Sequence, residues 1–392
     1  MVEKLTLARD LQESYKRLTE SGQPPLCFVG FDGFTDEIIH VVDQRLDAHT
    51  FEPMYTIADF GKRILAAAGK SCNLELVPKE TRLGGNAPIM AQALLSGGHR
   101  IVFAGAIGPH GNIEPIFQPL ALGCERVIPL CPSGHTDALE FYDGKVLLGK
   151  IGVLAEVCYE ALIARLPEEE LIAILDASNL FVSANWTMLP NMNTLWQQLV
   201  ERIIPHCSQR PENNPRAMWV DLADTAKRSA QDLVEALRIL STFQPAFKAI
   251  LGLNHSEAQQ VYHALIGPPP GPGAQQIEMM AKAIRKHLGI YQVVVHATRF
   301  AVAVSEDASA RVEGPYCAEP KIITGGGDHF NAGYCNALLF GLPMDACLMT
   351  GVATSGFYVR VARSPSVADL ANFLEQWHKF GDAFDESASF SS

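Results

Sequence analysis

The sequence is poor in basic residues and contains no long hydrophobic run. Its 392 residues include 31 lysines and arginines against 43 aspartates and glutamates, which gives a formal net charge of −12. No basic run is long enough to neutralise many phosphates, so a nucleic-acid partner is not expected. No apolar run reaches the roughly 18–20 residues that a membrane-spanning helix needs. Because the N-terminal segment is charged and amphipathic rather than signal-like, we expect a cytoplasmic protein without a membrane partner.

The patterns of zinc sites and disulfide frameworks are also missing. The nine cysteines are scattered, with no Cys-x-x-Cys pair and no short Cys/His spacing of the kind that binds zinc. Free, buried thiols in a reducing compartment explain this usage best. A zinc enzyme is therefore not expected.

Short apolar segments alternate with polar, helix-compatible stretches along the chain. With 48% hydrophobic and 19% charged residues, the composition is that of a folded globular protein. The apolar segments begin at Leu26, Ile101, Leu180, Met218, Ala249 and Val293. Because each segment is nearly continuous rather than alternating, they fit strands covered by helices on both faces. The sequence predicts a three-layer α/β fold with a largely parallel sheet.

Two segments depart from this β/α pattern. Residues 36–45 and 124–150 contain alternating segments, and Asp143-Gly144 in the second is typical of a β-hairpin turn. Such strands form either a small sheet over a cleft, as a lid or dimer contact, or a plain surface hairpin. Residues 267–274, rich in proline and glycine, predict a mobile surface loop.

The strongest chemical signal is the motif Thr-Gly-Gly-Gly-Asp-His-Phe at residues 324–330. Apolar residues at spacings of three or four predict an amphipathic helix that begins near Asp328 and ends at Gly341. Three glycines at a helix N-terminus let a phosphate approach unpaired amide groups and the helix dipole. A carboxylate beside that phosphate suits a base that accepts a proton from an attacking hydroxyl. Helix capping alone is the alternative role for Asp328.

Two further motifs lie in the N-terminal part of the chain, one directly after a predicted strand and one directly before a predicted helix. Asp32 and Asp36 follow the first apolar segment, where the carboxyl end of a parallel strand would meet the hydroxyls of a polar ligand. Turn-forming aspartates are the alternative. Gly84, Gly85 and Asn86 precede a helix-like stretch, where they permit close approach to the backbone and offer an amide to a hydroxyl.

A fourth motif, Asn254-His-Ser-Glu257, follows the apolar segment that begins at Ala249. The spacing is that of a capping box, in which the two side chains cap one helix. The functional alternative is that they provide oxygen ligands around a magnesium-bound phosphate. The residues alone leave both interpretations open.

Together these motifs resemble those of the ribokinase/PfkB carbohydrate kinases, over most of the chain. GFDGFTDEI resembles the family's opening strand with its sugar-binding aspartate, GGNAPIMAQALLSGG its Gly-Gly substrate segment, and GLNHSE its Asn-x-x-Glu motif. TGGGDHFNAG resembles the Gly-Ala-Gly-Asp signature, the most specific of the four. The resemblance implies one kinase domain over residues 1–392, with a Rossmann-like core, a β lid from the two inserted segments, and a homodimer formed through that lid.

The resemblance also implies roles for the motif residues, with ATP and Mg²⁺ as nucleotide and metal. Asp328 would be the catalytic base, and Glu257 would act on the magnesium ion indirectly. The further implied site residues are Gly325, Gly326 and Gly327 in the anion hole, Asp36, Gly84 and Gly85 on the acceptor, and Asn254 and Glu257 around the nucleotide and its phosphates. We also expect Asp32 and Asn86 to contact the acceptor and Thr298 to contact the nucleotide. Where the family has Thr-x-Gly-x-x-Gly, this chain has HATRFA from His296, so altered nucleotide contacts are expected.

We therefore expect a kinase that transfers the terminal phosphoryl group of ATP to a hydroxyl of a sugar or sugar-like acceptor. A nucleoside kinase would use the same phosphoryl-transfer machinery, with Phe31, Phe34 or Trp186 stacking on the base. A non-catalytic sugar-binding or regulatory protein with the same fold is a third possibility, suggested by the altered stretch around Thr298. Asp328 beside three glycines argues against a pure binder, which has no need of a base next to an anion.

Overall fold

The computed structural model describes residues 3–109, 111–211, 215–244, 246–271, 273–381 and 384. The strands are β1 (Leu26–Phe31), β2 (Phe34–Arg45), β3 (Phe51–Pro53), β4 (Leu76–Gly84), β5 (Arg100–Gly105), β6 (Arg126–Pro129), β7 (Gly134–Phe141), β8 (Gly144–Lys150), β9 (Leu180–Ser183), β10 (Ala217–Asp221), β11 (Lys248–Asn254), β12 (Gln292–His296), β13 (Phe300–Val304) and β14 (Ser309–Glu313). The helices are α1 (Lys4–Ser21), α2 (Ile57–Ala66), α3 (Asn86–Ser96), α4 (Gln118–Gly123), α5 (Tyr159–Ile163), α6 (Glu168–Ala177), α7 (Met192–Gln198), α8 (Ala230–Thr242), α9 (His255–Leu265), α10 (Ala274–Leu288), α11 (Gly326–Leu339), α12 (Met344–Val361) and α13 (Val367–Phe380).

The six predicted apolar segments all form strands of one large sheet. Within the described residues its order is β14-β13-β12-β11-β10-β9-β1-β5-β6. The seven strands β12, β11, β10, β9, β1, β5 and β6 pair in parallel, whereas β13 pairs antiparallel with both of its neighbours, β12 and β14. The predicted α/β class with a largely parallel sheet is confirmed.

Helices cover both faces of this sheet, which explains why its strands are apolar without alternation. In β1, Phe28 joins one core cluster with residues of α5 to α10. Its neighbour Val29 joins a second cluster with residues of α1, α3, α11, α12 and α13. Successive side chains of a strand point to opposite faces, so a strand buried on both faces needs apolar residues at every position.

A second, smaller sheet contains β2 and the β7–β8 hairpin, for which a lid was expected, and we call it the lid sheet. Strand β2 pairs with β3 and β4 on antiparallel ladders and with β7 on a parallel ladder, and β7 pairs with β8. The predicted hairpin is present, with Asp143-Gly144 at the turn from β7 to β8. Residues 126–129 pair instead with β5 in the large sheet, so the second lid segment begins at Gly134. Strands β3 and β4 were not predicted from the sequence; β4 has charged residues at three of its six exposed positions and therefore lacks an apolar pattern.

Two further sequence expectations concern local structure. Helix α11 begins at Gly326, two residues before the predicted start, and Gly341 follows it with φ +75°. The predicted loop 267–274 connects α9 to α10, with residue 272 outside the described part of the chain. None of the described helices is both long and apolar enough to cross a membrane.

Candidate active site

Polar groups from distant parts of the chain meet at the carboxyl edge of the large sheet. Asp32 follows β1, and Asp221, Asn254 and His296 are the last residues of β10, β11 and β12. The N-termini of α3 and α11 lie at the same edge, where Asn86 and Asp328 are in contact. Ligands of open parallel sheets bind at this edge, because the loops and helix N-termini there point outward from the core.

Asp328 is a buried carboxylate at the first turn of α11. Its side chain is 6% exposed, and its Oδ1 accepts a hydrogen bond of 2.8 Å from Asn86 Nδ2. Burial raises the pKa of Asp328 well above 3.8, and the negative charges of Asp221 and Asp32 raise it further, whereas the hydrogen bond from Asn86 lowers it. A carboxylate with a raised pKa is a better proton acceptor than an exposed one, which suits a general base.

The three glycines before Asp328 form a tight turn. Gly325 adopts a left-handed conformation with φ +90°, which a residue with a Cβ rarely adopts. The amide of Gly326 donates to the carbonyl oxygen of Ile323 at 3.1 Å, whereas the amides of Gly325 and Gly327 have no acceptor among the described residues. The anion hole inferred from the sequence is therefore smaller than three amides, because the Gly326 amide is engaged within the chain.

His329 stabilises this glycine turn through contacts with three residues. Its Nδ1 contacts the carbonyl oxygen of Gly325 at 2.7 Å, and its Nε2 contacts Ser364 Oγ at 2.9 Å. The ring stacks on Tyr358 at 3.6 Å, and Tyr358 Oη donates to the carbonyl oxygen of Thr324. Burial lowers the pKa of His329 to about 4, so the neutral ring donates through Nδ1 and accepts through Nε2. The sequence analysis missed this residue, although it directly follows the motif aspartate.

Asp32, which the sequence predicts to contact the acceptor, accepts three hydrogen bonds from the protein itself. It is fully buried and accepts hydrogen bonds from the amides of Asn86 and Ala87 at 2.9 and 2.8 Å and from Asn185 Nδ2 at 2.7 Å. Burial raises its pKa to about 6 despite these three donors. Because its carboxylate is surrounded by protein donors and binds two amides of the first turn of α3, Asp32 orients the start of that helix.

Asp36 lies on the lid strand β2, half-buried against the glycine motif. The Thr136 hydroxyl donates to its carboxylate, and burial raises its pKa. A Cβ at Gly84 would overlap that carboxylate, so a larger residue at position 84 would displace the Asp36 side chain. Gly85 has φ +96°, and its Cβ would lie 3.0 Å from Gly33 Cα. The structure therefore brings Asp36, Gly84 and Gly85 together, as expected.

Asn254 and Glu257 form the capping box that the sequence offered as one alternative. The Asn254 amide donates to Glu257 Oε2 at 2.8 Å, and the Glu257 amide donates to Asn254 Oδ1 at 2.9 Å. Glu257 is nevertheless only 5% exposed, and burial with the charge of Asp221 raises its pKa to about 9. Capping a helix requires no such burial, so the capping role does not account for the whole environment of Glu257.

Asp221 is a buried acid that the sequence analysis overlooked. It is 7% exposed and accepts hydrogen bonds from Asn331 Nδ2 at 2.6 Å and from the Ala223 amide at 2.8 Å. No described lysine or arginine forms an ion pair with Asp221, Glu257 or Asp328. Buried carboxyl oxygens without a cationic partner are suited to a hydrated divalent cation such as Mg²⁺, whose charge favours their ionised form.

A cavity of about 960 Å³ opens beside the glycine turn. Asn254, Thr298, Gly326 and Gly327 contribute to its lining, so the structure brings these predicted nucleotide and phosphate residues together. This volume lies at the upper end of the range for small-molecule sites, and is sufficient for a nucleotide. The glycine turn and Asp328 thus lie between this cavity and the lid residue Asp36.

This arrangement agrees with the comparison with known families. Residues 4–377 match the sequence model of the prokaryotic ketohexokinases. The chain belongs to the prokaryotic ketohexokinase family. The expected carbohydrate kinase, of the ribokinase/PfkB type, is thereby confirmed.

Three proteins that resemble this ketohexokinase-family chain align with 90% or more of its length. A ketohexokinase of Haloferax volcanii is 27% identical over 380 residues, which are 96% of this chain and 97% of that protein. The Arabidopsis thaliana ribokinase complexed with ribose and ATP is 18% identical with a TM-score of 0.62, covering 90% of this chain and 99% of that one. The Thermotoga maritima ribokinase is 16% identical with a TM-score of 0.61 and the same coverage. Both ribokinases share the fold.

The aromatic residues considered for a nucleoside acceptor are not available in this member of the ketohexokinase family. Phe31 and Trp186 are fully buried in the core, and Phe34 is 7% exposed. A ring enclosed by core side chains cannot stack on a nucleobase. The nucleoside alternative thereby loses the feature that supported it.

Proposed function

We propose that this protein transfers the terminal phosphoryl group of ATP to a hydroxyl of a ketohexose. The observation that carries this proposal is the position of Asp328, a buried carboxylate with a raised pKa at the turn of Gly325 to Gly327. That turn lines the 960 Å³ cavity on one side, and Asn86 links it to the acceptor motif on the other. The ketohexokinase name of the Haloferax volcanii relative supports a ketohexose as acceptor.

In this proposal Asp328 accepts the proton of the attacking hydroxyl. The hydroxyl oxygen forms a bond to the terminal phosphorus as the bond to the β–γ bridging oxygen breaks, and ADP leaves with that oxygen. The free amides of Gly325 and Gly327 and the positive end of α11 stabilise the negative charge on the transferred group. Asn86 holds the Asp328 carboxylate in place through its 2.8 Å hydrogen bond.

We propose that Asp221 and Glu257 hold Mg²⁺ through water at the phosphates. When bound with the nucleotide, Mg²⁺ supplies charge neutralisation to the phosphates. The two carboxylates fit this role because they are buried, carry oxygen donors and have no described cationic partner. Asn254 and Thr298 line the cavity and are proposed to contact the nucleotide.

On the acceptor side, we propose that Asp36 accepts hydrogen bonds from sugar hydroxyls. The glycines at 84 and 85 keep the backbone clear at this point, as the overlap of a Cβ at Gly84 with the Asp36 carboxylate indicates. Because Asp36 is on β2, a lid strand, contact with the sugar would connect acceptor binding to the position of the lid.

A panel of acceptors tests the proposed function. Purified protein is mixed with ATP and Mg²⁺, and ADP release is measured with ketohexoses, aldohexoses, pentoses and nucleosides. We expect the highest kcat/KM with one ketohexose. Higher kcat/KM with an aldose or a nucleoside would contradict the proposed acceptor, and ADP release that no acceptor raises above the acceptor-free rate would favour a non-catalytic binder.

We also propose a homodimer formed through the lid. Leu147 and Leu148 of β8 are 58% and 47% exposed, and Tyr142 at the hairpin turn is 92% exposed. Leu147 and Leu148 point to opposite faces of β8, so this edge strand of the small sheet offers an exposed apolar side chain on each face to a second copy. Sedimentation velocity on the wild type and on Leu148→Glu checks this: a dimer that dissociates in the variant is expected, and a wild-type monomer at micromolar concentration would contradict it.

A further inference from the structure

A second cavity, of about 490 Å³, lies along β6, the end strand of the large sheet among the described residues. All four residues of β6 line it, together with Gly111 and Arg165. Because successive residues of a strand point to opposite faces, a cavity that all four line runs along the edge of the strand. It shares no lining residue with the 960 Å³ cavity, and β5 separates β6 from β1. This cavity is therefore outside the proposed active site.

Arg165, which follows α5, brings an uncompensated positive charge to this cavity. Its Nε is enclosed by protein atoms and has no hydrogen-bond partner among the described residues. Its guanidinium forms no ion pair within the described part of the chain. An enclosed donor on a cation costs free energy unless a ligand or water accepts its hydrogen bond. Arg165 is thus suited to bind an anion in the cavity that it lines.

Arg126, the first residue of β6, provides a second guanidinium to the same cavity. Its Nη1 donates to Glu170 Oε2 at 2.7 Å, and the two side chains are 42% and 51% exposed. An exposed ion pair of this kind is weak, because both groups are also well solvated. An anion in the cavity can therefore compete with Glu170 for Arg126.

The lining itself contains two positive side chains and no acidic one. Glu114 and Glu156 are close enough to raise the pKa of the Cys131 thiol, as burial also does, whereas Arg165 lowers it. Neither acid lines the cavity. Glu114 is held by the amide and hydroxyl of Ser133 at 2.9 and 2.6 Å. The electrostatic field inside the cavity therefore favours a negative ligand.

The edge of β6 adds backbone groups and limits the size of the ligand. Neighbouring residues of a parallel strand direct their N–H and C=O groups to opposite sides, so either Val127 or Ile128 directs its amide away from β5. Pro129 has no N–H, and β6 has only four residues, which makes this edge a poor template for an added peptide strand. A volume of 490 Å³ is typical of a small-molecule site.

We propose that this cavity binds a small molecule through a phosphate group, with Arg165 and Arg126 as the cationic contacts. A guanidinium offers paired N–H donors to anionic oxygens, and a phosphate dianion has the charge and the oxygens for two such groups. A single carboxylate has one charge and two oxygens, which one arginine satisfies. The site is separate from those proposed for the nucleotide and the acceptor. Inorganic phosphate and a phosphorylated sugar share the required chemistry.

Calorimetry on the full chain tests the site, with the sugar and a non-hydrolysable ATP analogue in excess so that the active site is filled. The probes are inorganic phosphate, a hexose phosphate, and succinate as a dicarboxylate. Arg165→Met removes the guanidinium and keeps a long side chain, and Glu170→Gln removes the partner of Arg126. Arg238→Met is the control, since Arg238 is exposed on α8 and lines neither cavity.

We expect Arg165→Met to weaken phosphate binding by about 10-fold or more, as for a hydrogen bond to a charged group, and the control to bind as the wild type does. Glu170→Gln is expected to tighten binding by about 2- to 5-fold, because Arg126 then has no competing partner. Tighter binding of the hexose phosphate than of inorganic phosphate would identify a phosphorylated sugar as the ligand, and the reverse order would identify free phosphate.

Three results overturn the inference: no binding of either phosphate probe by the wild type, succinate binding as tight as phosphate binding, or unchanged phosphate affinity in Arg165→Met. Weaker binding in Glu170→Gln would remove Arg126 from the site. The Nε–H resonance of Arg165, assigned by its loss in Arg165→Met, is expected to shift when phosphate is added to the wild type. A resonance that does not respond contradicts the site without reliance on the affinity of any variant. Because the active site is filled throughout, none of these outcomes depends on phosphoryl transfer.

Discussion

Asn86 and Asp328 are 242 positions apart in the sequence and are joined by a 2.8 Å hydrogen bond from Asn86 Nδ2 to Asp328 Oδ1. Asn86 is the first residue of α3, and Asp328 is in the first turn of α11. The bond therefore connects the glycine motif proposed for the acceptor to the glycine motif proposed for the phosphate. Two helix N-termini meet at this bond, and both provide favourable positions for negative charge.

The first prediction concerns the proposed base. Asp328→Asn removes the proton acceptor and keeps the shape of the side chain, so kcat is expected to fall by about 10²- to 10⁴-fold. Coupled assays of ADP release measure the change, and circular dichroism with thermal denaturation checks that the fold is intact. Asp345→Asn, in the first turn of α12, is a matched control that should retain wild-type kcat. Retention of wild-type turnover in Asp328→Asn would exclude Asp328 as the base.

A second prediction follows from the hydrogen bond to Asn86. The Asn86 amide favours the charged form of Asp328 and so lowers the pKa of that carboxyl. Asn86→Ala removes this stabilisation, and the pKa of Asp328 rises. We expect the acid limb of the kcat/KM profile to move to higher pH in the variant, since the base is then protonated over a wider range. Superimposable profiles for Asn86→Ala and the wild type would show that the bond does not tune the base.

Six of the nine strands of the large sheet were predictable, because the signal for each of them lies in the apolar segment itself. A strand buried on both faces needs consecutive apolar residues, and β1, with Phe28 and Val29 in two different cores, shows why. The lid was only partly predictable. Strand β4 has charged residues on its exposed side and lacks a continuous apolar run, so its pairing with β2 depends on tertiary contacts.

The roles of individual acids were less predictable, because capping and catalysis use the same local pattern. Asp32 and Asp328 each lie beside glycines near a helix start, yet Asp32 is satisfied by three protein donors and Asp328 by one. Only the folded chain distinguishes them. Asp221 had a usable signal, since it ends the apolar segment beginning at Met218 just as Asp32 follows the one at Leu26. Applying the strand-end argument to every strand would have found it.

A third prediction tests the space that Gly84 leaves for Asp36. A Cβ at residue 84 would overlap the Asp36 carboxylate. We expect Gly84→Ala to displace that carboxylate and raise the sugar KM by at least about 10-fold, with little change in nucleotide affinity, because the 960 Å³ cavity is elsewhere. Gly61→Ala in α2 is the control, since a Cβ there meets no atom within 4 Å. An unchanged sugar KM in Gly84→Ala would remove Asp36 from the acceptor site.

A fourth prediction concerns the brace behind the glycine turn. His329→Ala removes the ring's contacts with Gly325 and Ser364 and its stack on Tyr358, so the turn loses its support. We expect kcat to fall by about 10-fold or more with unchanged sugar affinity, since misplacing catalytic amides costs rate rather than acceptor binding. Ser364→Ala removes only the outer hydrogen bond and should give a smaller loss in the same direction. Equal kcat in His329→Ala and the wild type would show that the geometry of the glycine turn does not depend on the His329 side chain.

The last prediction links the buried acids to stability. Burial and the charge of Asp221 raise the pKa of Glu257 to about 9, above its ordinary value of 4.5. Ionisation is thus less favourable in the folded state, so stability is highest below about pH 4.5 and declines as the pH rises toward 9. Glu257→Gln keeps the capping box with Asn254 but cannot ionise. Without Mg²⁺ and nucleotide, we expect the Tm advantage of Glu257→Gln over the wild type to grow from pH 5 to pH 8.

Because Glu257 is also proposed to hold the metal ion, the variant that gains stability is expected to lose activity. Glu257→Gln is expected to lose activity, because a neutral amide attracts hydrated Mg²⁺ less than a carboxylate does. Differential scanning calorimetry across the pH range, with coupled assays at several Mg²⁺ concentrations, measures both effects. Glu169→Gln on the exposed side of α6 is the control, and its Tm difference from the wild type should not depend on pH in this way. A Glu257→Gln variant that is less stable than the wild type at pH 8 would mean that the Glu257 carboxylate is compensated by a charge, and the argument for a cation at this cluster would then fail.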